Sequence, residues 1–192
     1  MQSYYGSCDA GFFTHAHTPV GRGFDTSFSY MLGQQSHDNR SSQVSHTCGL
    51  PVKDLYNSTR IANETDGFAF NNVYSAEMYG SVAANIVRDH DASFPLFLYM
   101  AFLNCHAPNQ APQSYRDRFN DLPEGGSRRC YAGMMAAMDD AVGNITAALQ
   151  SRPDMYQNSI VIFSTDNVGT YTCCPPCRRC HSCTPTFASV VC

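Results

Sequence analysis

The chain has 192 residues with 12 Lys plus Arg against 16 Asp plus Glu, a net charge of −4. That balance excludes a basic footprint for nucleic acid or an anionic membrane, and apolar runs such as residues 94–103 fall short of a membrane span. The length suits one α/β domain with a sizeable core.

The opening Met1-Gln2-Ser3-Tyr4-Tyr5-Gly6 lacks the basic start and apolar middle of a secretory signal. The expectation is either no export or a beginning further upstream. Export is favoured by three sequons, at Asn57, Asn63 and Asn144, which otherwise read as ordinary polar surface. The ten cysteines divide into four scattered ones and six crowded between Cys173 and Cys192. Two regions of different kind are therefore expected, 1–169 and a Cys-rich tail at 170–192, the latter non-native or disordered.

In chain order, residues 11–39 are rich in Gly, Ser, Thr and His and read as loop around a short element at 24–32. Residues 39–72 are irregular, with a short strand near 52–56. Over 74–90, Met78, Val82, Ile86 and Val87 fall near helical spacing, with Ser75 as cap and Glu77 in the first turn, where negative charge suits the helix dipole. The run at 95–103 is apolar on both alternating faces, which predicts a central parallel strand buried between helix layers. Met134, Met135, Met138, Val142, Ile145 and Leu149 predict the longest helix over 130–150, with Asp139 and Asp140 facing elsewhere. It ends at Arg152-Pro153-Asp154, and residues 159–164 form a second β-branched run of buried-strand type. Alternation of helix and strand gives βαβ crossovers, a mostly parallel sheet and an α/β class.

Ligands in open parallel sheets bind beyond the carboxyl ends of the strands. That rule selects Asn104-Cys105-His106-Ala107-Pro108 and Ser164-Thr165-Asp166-Asn167. Asp166 and Asn167 offer a carboxylate and an amide carbonyl, a set suited to Ca²⁺ or Mg²⁺ more than to zinc. The same pair equally makes an Asx turn. His106 by itself is either a site residue or a satisfied structural histidine.

Four blocks carry a resemblance that bears on these alternatives. They are Thr18-Pro19-Val20-Gly21-Arg22-Gly23-Phe24-Asp25 with Tyr30-Met31-Leu32-Gly33; the run from Pro95 to Ala101 with Asn104-Cys105-His106-Ala107-Pro108; Tyr131-Ala132-Gly133-Met134 with Met138-Asp139-Asp140-Ala141-Val142-Gly143; and Ile162-Phe163-Ser164-Thr165-Asp166-Asn167. In this order they resemble the sulfatase family of the alkaline-phosphatase-like superfamily, and the arylsulfatase B-like type in particular. The resemblance implies a sandwich whose central sheet is flanked by helices, and hydrolysis of an aryl or carbohydrate sulfate ester in a secreted or lysosome-like compartment. It also implies a formylglycine nucleophile made from a C-x-P-S-R block, and a Ca²⁺ ion that acts as Lewis acid. By position Asp166 and Asn167 match the family's metal-binding pair, and His106 its sulfate-contacting histidine.

The departures are equally specific. No C-x-P-S-R block occurs, so no nucleophile is assigned; the family's two consecutive aspartates lie on a first strand upstream of that block, and Asp139-Asp140, mid-helix and part of another block, do not replace them. The family's G-K-W-H-x-G falls on Gly6-Ser7-Cys8-Asp9-Ala10-Gly11, with Ser7 for lysine and Asp9 for histidine, and D-N-G-G becomes Asp166-Asn167-Val168-Gly169. The repeated C-x-x-C spacing from Cys174, with His181, reads as an out-of-frame tail, a disulfide knot or a zinc module. The expectation is an internal piece of a sulfatase, inactive alone and exposing an apolar sheet edge. The alternatives are a non-catalytic sulfatase-like binding domain, or a phosphatase cousin, against which the blocks at 18–25 and 131–143 argue.

Overall fold

The computed structural model describes residues 2–7, 14–31, 35–39, 41–42, 52–59, 63–65, 70, 72–122, 127–165 and 188–191. Asp166 and Asn167, Asp9, and the cysteine cluster from Cys173 to Cys183 lie outside the described residues.

The strands are β1 (Gln2–Ser7), β2 (Thr26–Tyr30), β3 (Ser41–Ser42), β4 (Val52–Lys53), β5 (Tyr56–Thr59), β6 (Asn63–Thr65), β7 (Phe97–Phe102), β8 (Ile162–Thr165) and β9 (Ala188–Val191). The helices are α1 (Ser75–Asp89), α2 (Gln113–Arg116), α3 (Ser127–Gln150) and α4 (Pro153–Tyr156). Seven strands form one sheet in the order β6-β5-β2-β1-β7-β9-β8, while β3 and β4 pair separately. The α/β class is as expected, and the sheet is mixed. Its heart is parallel, β1 lying between β2 and β7, and both flanks are antiparallel.

Among the described residues, α1 and α3 pack on one face of the sheet. On β7, Leu98, Met100 and Phe102 are buried and join a core with Phe28 and Tyr30 of β2, Met78, Tyr79, Ala83 and Val87 of α1, and Met138, Ala141, Ile145 and Leu149 of α3. Each large side chain sealed this way contributes about 1.5–3 kcal/mol. The other face of β7 is more open. Phe97 is 40% exposed, where burial on both faces was expected, and its ring meets that of Phe24 at 6.1 Å.

The helices follow their sequence periods with local differences. α1 opens one residue earlier than a Ser75 cap allows, because extended Tyr74 takes the cap position without a side-chain bond. Ser75 is instead the first helical residue, fully buried, its N–H donating to the His37 carbonyl at 2.9 Å. α3 begins at Ser127, three residues ahead of the expected start at 130, and Met135 on its outer side is 40% exposed rather than in the core. Asp139 and Asp140 face outward, Asp140 accepting two hydrogen bonds from Arg118 at 3.2 and 2.8 Å.

Residues 14–23 explain the glycines of the Thr18–Asp25 block. A Cβ on Gly21 would overlap the His15 carbonyl, and Gly23 ends the turn Val20–Arg22 with φ +110°, a backbone that favours glycine.

The second apolar run differs most from its expectation. β8 ends the sheet, and Ile160, Val161, Ile162 and Phe163 are 75, 48, 52 and 56% exposed. β7 and β8 are also not neighbours, since β9 stands between them, antiparallel to both. β-branched composition reports that a run is extended, not that both its faces are covered.

Candidate active site

The parallel heart of the sheet sets the place. Gly6 of β1 faces Ser29 of β2 on one side and Ala101 of β7 on the other, so the three strands end level, and the loops after β2 and β7 leave from one edge. In this architecture that edge is where ligands bind.

The loop after β7 is anchored by its first residues. Leu103 and Asn104 are buried. Asn104 Nδ2 donates to the Met134 carbonyl at 2.8 Å and to the Tyr74 hydroxyl at 3.3 Å, which ties the strand end to α3 and to the start of α1. The His106 N–H donates back to the Leu103 carbonyl at 2.9 Å, turning the chain. His106 is half-buried, and its Nδ1 lies 2.7 Å from the Ala107 carbonyl. A carbonyl only accepts, so Nδ1 carries the hydrogen.

The loop after β2 meets this one. His37 is fully buried, with Nδ1 2.8 Å from Ser75 Oγ and Nε2 3.3 Å from the His106 carbonyl. Its ring stacks on Tyr74 at 5.5 Å and 16°. Gln110, four residues beyond His106, completes the junction. Its Oε1 accepts from the His37 N–H at 2.9 Å and from Ser36 Oγ at 3.2 Å, and its carbonyl accepts from the Tyr74 hydroxyl at 2.8 Å. The two loops thus share one hydrogen-bonded frame.

Burial sets the chemistry of two groups beside it. Desolvation pushes the Cys105 thiol up to about 12, with a hydrogen bond from Tyr131 opposing it, and its Sγ lies 2.9 Å from Met135 Sδ. Desolvation likewise raises the Tyr74 phenol well above its usual range, with Cys105 adding to the effect. Both are held protonated as neutral donors. Cys105 and Cys130 are free thiols.

Of the residues singled out in the sequence, His106 stands at this edge. β8, which leads to Asp166, ends level with β7 because Thr165 and Phe102 both face Ala188 of β9. Among the described residues no group of three or more His, Cys, Asp or Glu is placed to hold a metal. Of the sequons, Asn57 is exposed on β5, Asn63 lies on β6, and half-buried Asn144 on α3 accepts from Arg88 at 3.3 Å.

Sequence reasoning missed His37, Gln110 and Tyr74, while Asn104 fell within the loop it selected. The signal for His37 was present: Gln35-Ser36-His37-Asp38 begins five residues after β2 ends, in the loop that corresponds to residues 103–108 after β7. Reading 24–32 as a parallel strand, not merely a short element, would have brought that loop under the same rule.

Comparison with known proteins accords with this architecture. A sequence profile of the sulfatase family matches residues 2–172. Arylsulfatase J of Mus musculus is 37% identical over 167 residues, covering 87% of this chain and 27% of that protein. An arylsulfatase of Klebsiella aerogenes is 27% identical over 121 residues, covering 63% of this chain and 25% of that protein. The chain therefore spans about a quarter of the length of these curated relatives. Two crystal structures of Ps i-CgsB, one in complex with k-i-k-neocarrahexaose, superpose with a TM-score of 0.68 at 22% identity over 98% of this chain and 44% of theirs, which shows a shared fold. With the family's profile running through both loops of the candidate site, the chain belongs to the sulfatase family.

Proposed function

We propose that this chain supplies the sulfate-binding side of a sulfuric ester hydrolase site of the arylsulfatase type, acting on an aryl or carbohydrate sulfate ester. The observation that supports it most is the junction of the two loops at the parallel edge, where His37 Nε2 approaches the His106 carbonyl at 3.3 Å. His106, its Nδ1 engaged at Ala107, is the proposed partner of a sulfate oxygen, its imidazole following the charge that grows on the leaving oxygen. Asp166 and Asn167 are the proposed Ca²⁺ ligands, a carboxylate and an amide carbonyl of the hard-oxygen type that this ion takes. Bound there, Ca²⁺ would offset the charge of the sulfate.

The 192 residues contain no C-x-P-S-R block, so the separate chain is expected to bind an aryl sulfate and turn it over negligibly. The test is a calorimetric titration of 4-nitrophenyl sulfate in CaCl₂ with the unaltered chain, His106→Ala and Asp166→Ala. Weakened binding in both variants supports the assignment, whereas equal binding by all three removes it. Calcium-dependent release of nitrophenol by the unaltered chain would contradict the expected inactivity.

A second reading is a non-catalytic binding domain for sulfated carbohydrate. A transcript reading upstream into C-x-P-S-R supports the hydrolase, and one that starts at Met1 supports the binding domain. The three sequons support a secreted or lysosome-like setting, and no helix among the described residues is long and apolar enough to cross a membrane.

A further inference from the structure

We propose that His37 is a positioning residue for His106, acting through the peptide carbonyl of His106 rather than on any ligand. His37 is 0% exposed and held on every polar atom of its ring. Its Nε2 faces the His106 carbonyl at 3.3 Å, so Nε2 carries the hydrogen. Nδ1 is then the acceptor for the Ser75 hydroxyl at 2.8 Å, and the stack on Tyr74 fixes the ring plane. Ser75 is the first residue of α1 and is itself buried, so the ring is braced against a fifteen-residue helix. The His37 N–H adds a second tie, through Gln110 at 2.9 Å, to the far end of the same loop. Residues 106–110 are thereby clamped at both ends by one histidine: at one end by its ring, at the other by its backbone. Where the His106 imidazole stands follows from where that peptide is held.

The proposal concerns the placement of His106. Its relevance to a sulfate ester rests on the function proposed above, and the two separate in one experiment. Asn and Gln each replace a single nitrogen of the ring. The amide of His37→Gln reaches the Nε2 position and keeps a donor for the His106 carbonyl, while that of His37→Asn reaches only the Nδ1 position beside Ser75. The measurements, on the full 192-residue chain, are hydrogen exchange at the His106 amide and the His106 ring shifts during titration with sodium sulfate.

Losing one buried hydrogen bond should speed exchange roughly tenfold in His37→Asn, with less than about a twofold change in His37→Gln. The sulfate-induced shift should follow the same order. Equal effects of the two variants, or none in either, overturn the proposal, because a purely space-filling role does not distinguish them. If neither variant folds, the ring nitrogens of the unaltered chain decide: a hydrogen on Nε2 with bare Nδ1 upholds the clamp, and the opposite tautomer overturns it. An unaltered chain whose His106 ignores sulfate, while exchange still separates Asn from Gln, upholds the clamp and strikes the proposed function.

Discussion

Gly80 of α1 lies so close to Ala141 of α3 that a methyl group at position 80 would stand 2.8 Å from the Ala141 Cβ and 3.0 Å from its Cα. Both helices bury small residues, Gly80, Ala83 and Ala84 on α1 and Ala137, Ala141 and Ala148 on α3. Their separation is set by backbones more than by side-chain tips.

Gly80→Ala should therefore destabilise the chain although it improves helix propensity. The propensity gain is at most about 1 kcal/mol, and forcing the helices apart in a close-packed core costs about 1–3 kcal/mol. Urea unfolding followed by circular dichroism reads the difference. A higher midpoint would show that α1 and α3 separate freely.

Arg152 closes the other end of α1. One of its guanidinium nitrogens lies 3.4, 2.8 and 3.1 Å from the carbonyls of Val87, Arg88 and His90, which the last turn leaves without helical partners. Arg152→Met keeps the aliphatic stem and removes the donors, and should cost about 1–2 kcal/mol. Arg152→Lys should recover part of it. A Met variant as stable as the parent would show that water caps these carbonyls equally well.

Alkali should unfold the chain through Cys105 and Tyr74. Both hold their protons longer folded than unfolded, so the unfolded state binds fewer protons as pH rises and stability falls. For Cys105 the window runs from its ordinary value of 9.0 up to about 12, with a slope of at most about 1.4 kcal/mol per pH unit. Thermal melts between pH 8 and 11 should show a shallower decline for Cys105→Ala than for the parent. Parallel declines would mean that the thiol is as well solvated in the folded chain as in the unfolded one.

The apolar edge at β8 predicts self-association. Ile162 and Phe163 are exposed on a strand that ends the sheet, with Ile160 and Val161 exposed just ahead of it, the arrangement that recruits further strands. Ile160→Lys with Phe163→Lys should lower light scattering and dye binding. Since both side chains are more than half exposed, the melting midpoint should shift little, by less than about 0.5 kcal/mol in stability. Unchanged scattering would clear this strand as the cause.

The helices and the central strand were legible because their apolar residues repeat with the element's own period, as Met134, Met138, Ile145 and Leu149 do along α3. Cover was not legible. Residues 97–102 and 160–163 are equally apolar, yet the first is packed by two helices on one face and the second is open, a difference made by distant chain segments. The site was half legible for a similar reason. His106 follows an obvious strand, while His37 follows one that mixes Thr and Ser with aromatics, Thr26-Ser27-Phe28-Ser29-Tyr30, whose pairing with β1 and β5 only the folded chain reveals.

Strand β9 governs the distance between two strand ends. Since Ala188 faces Phe102 on one side and Thr165 on the other, the segments leading to His106 and Asp166 start two strand widths apart, about 10 Å. β7 and β8 run in the same direction, so if those four residues left the sheet, the outer strand could pair directly with β7 and halve that gap. A single four-residue strand thus sets the spacing between the ends of β7 and β8.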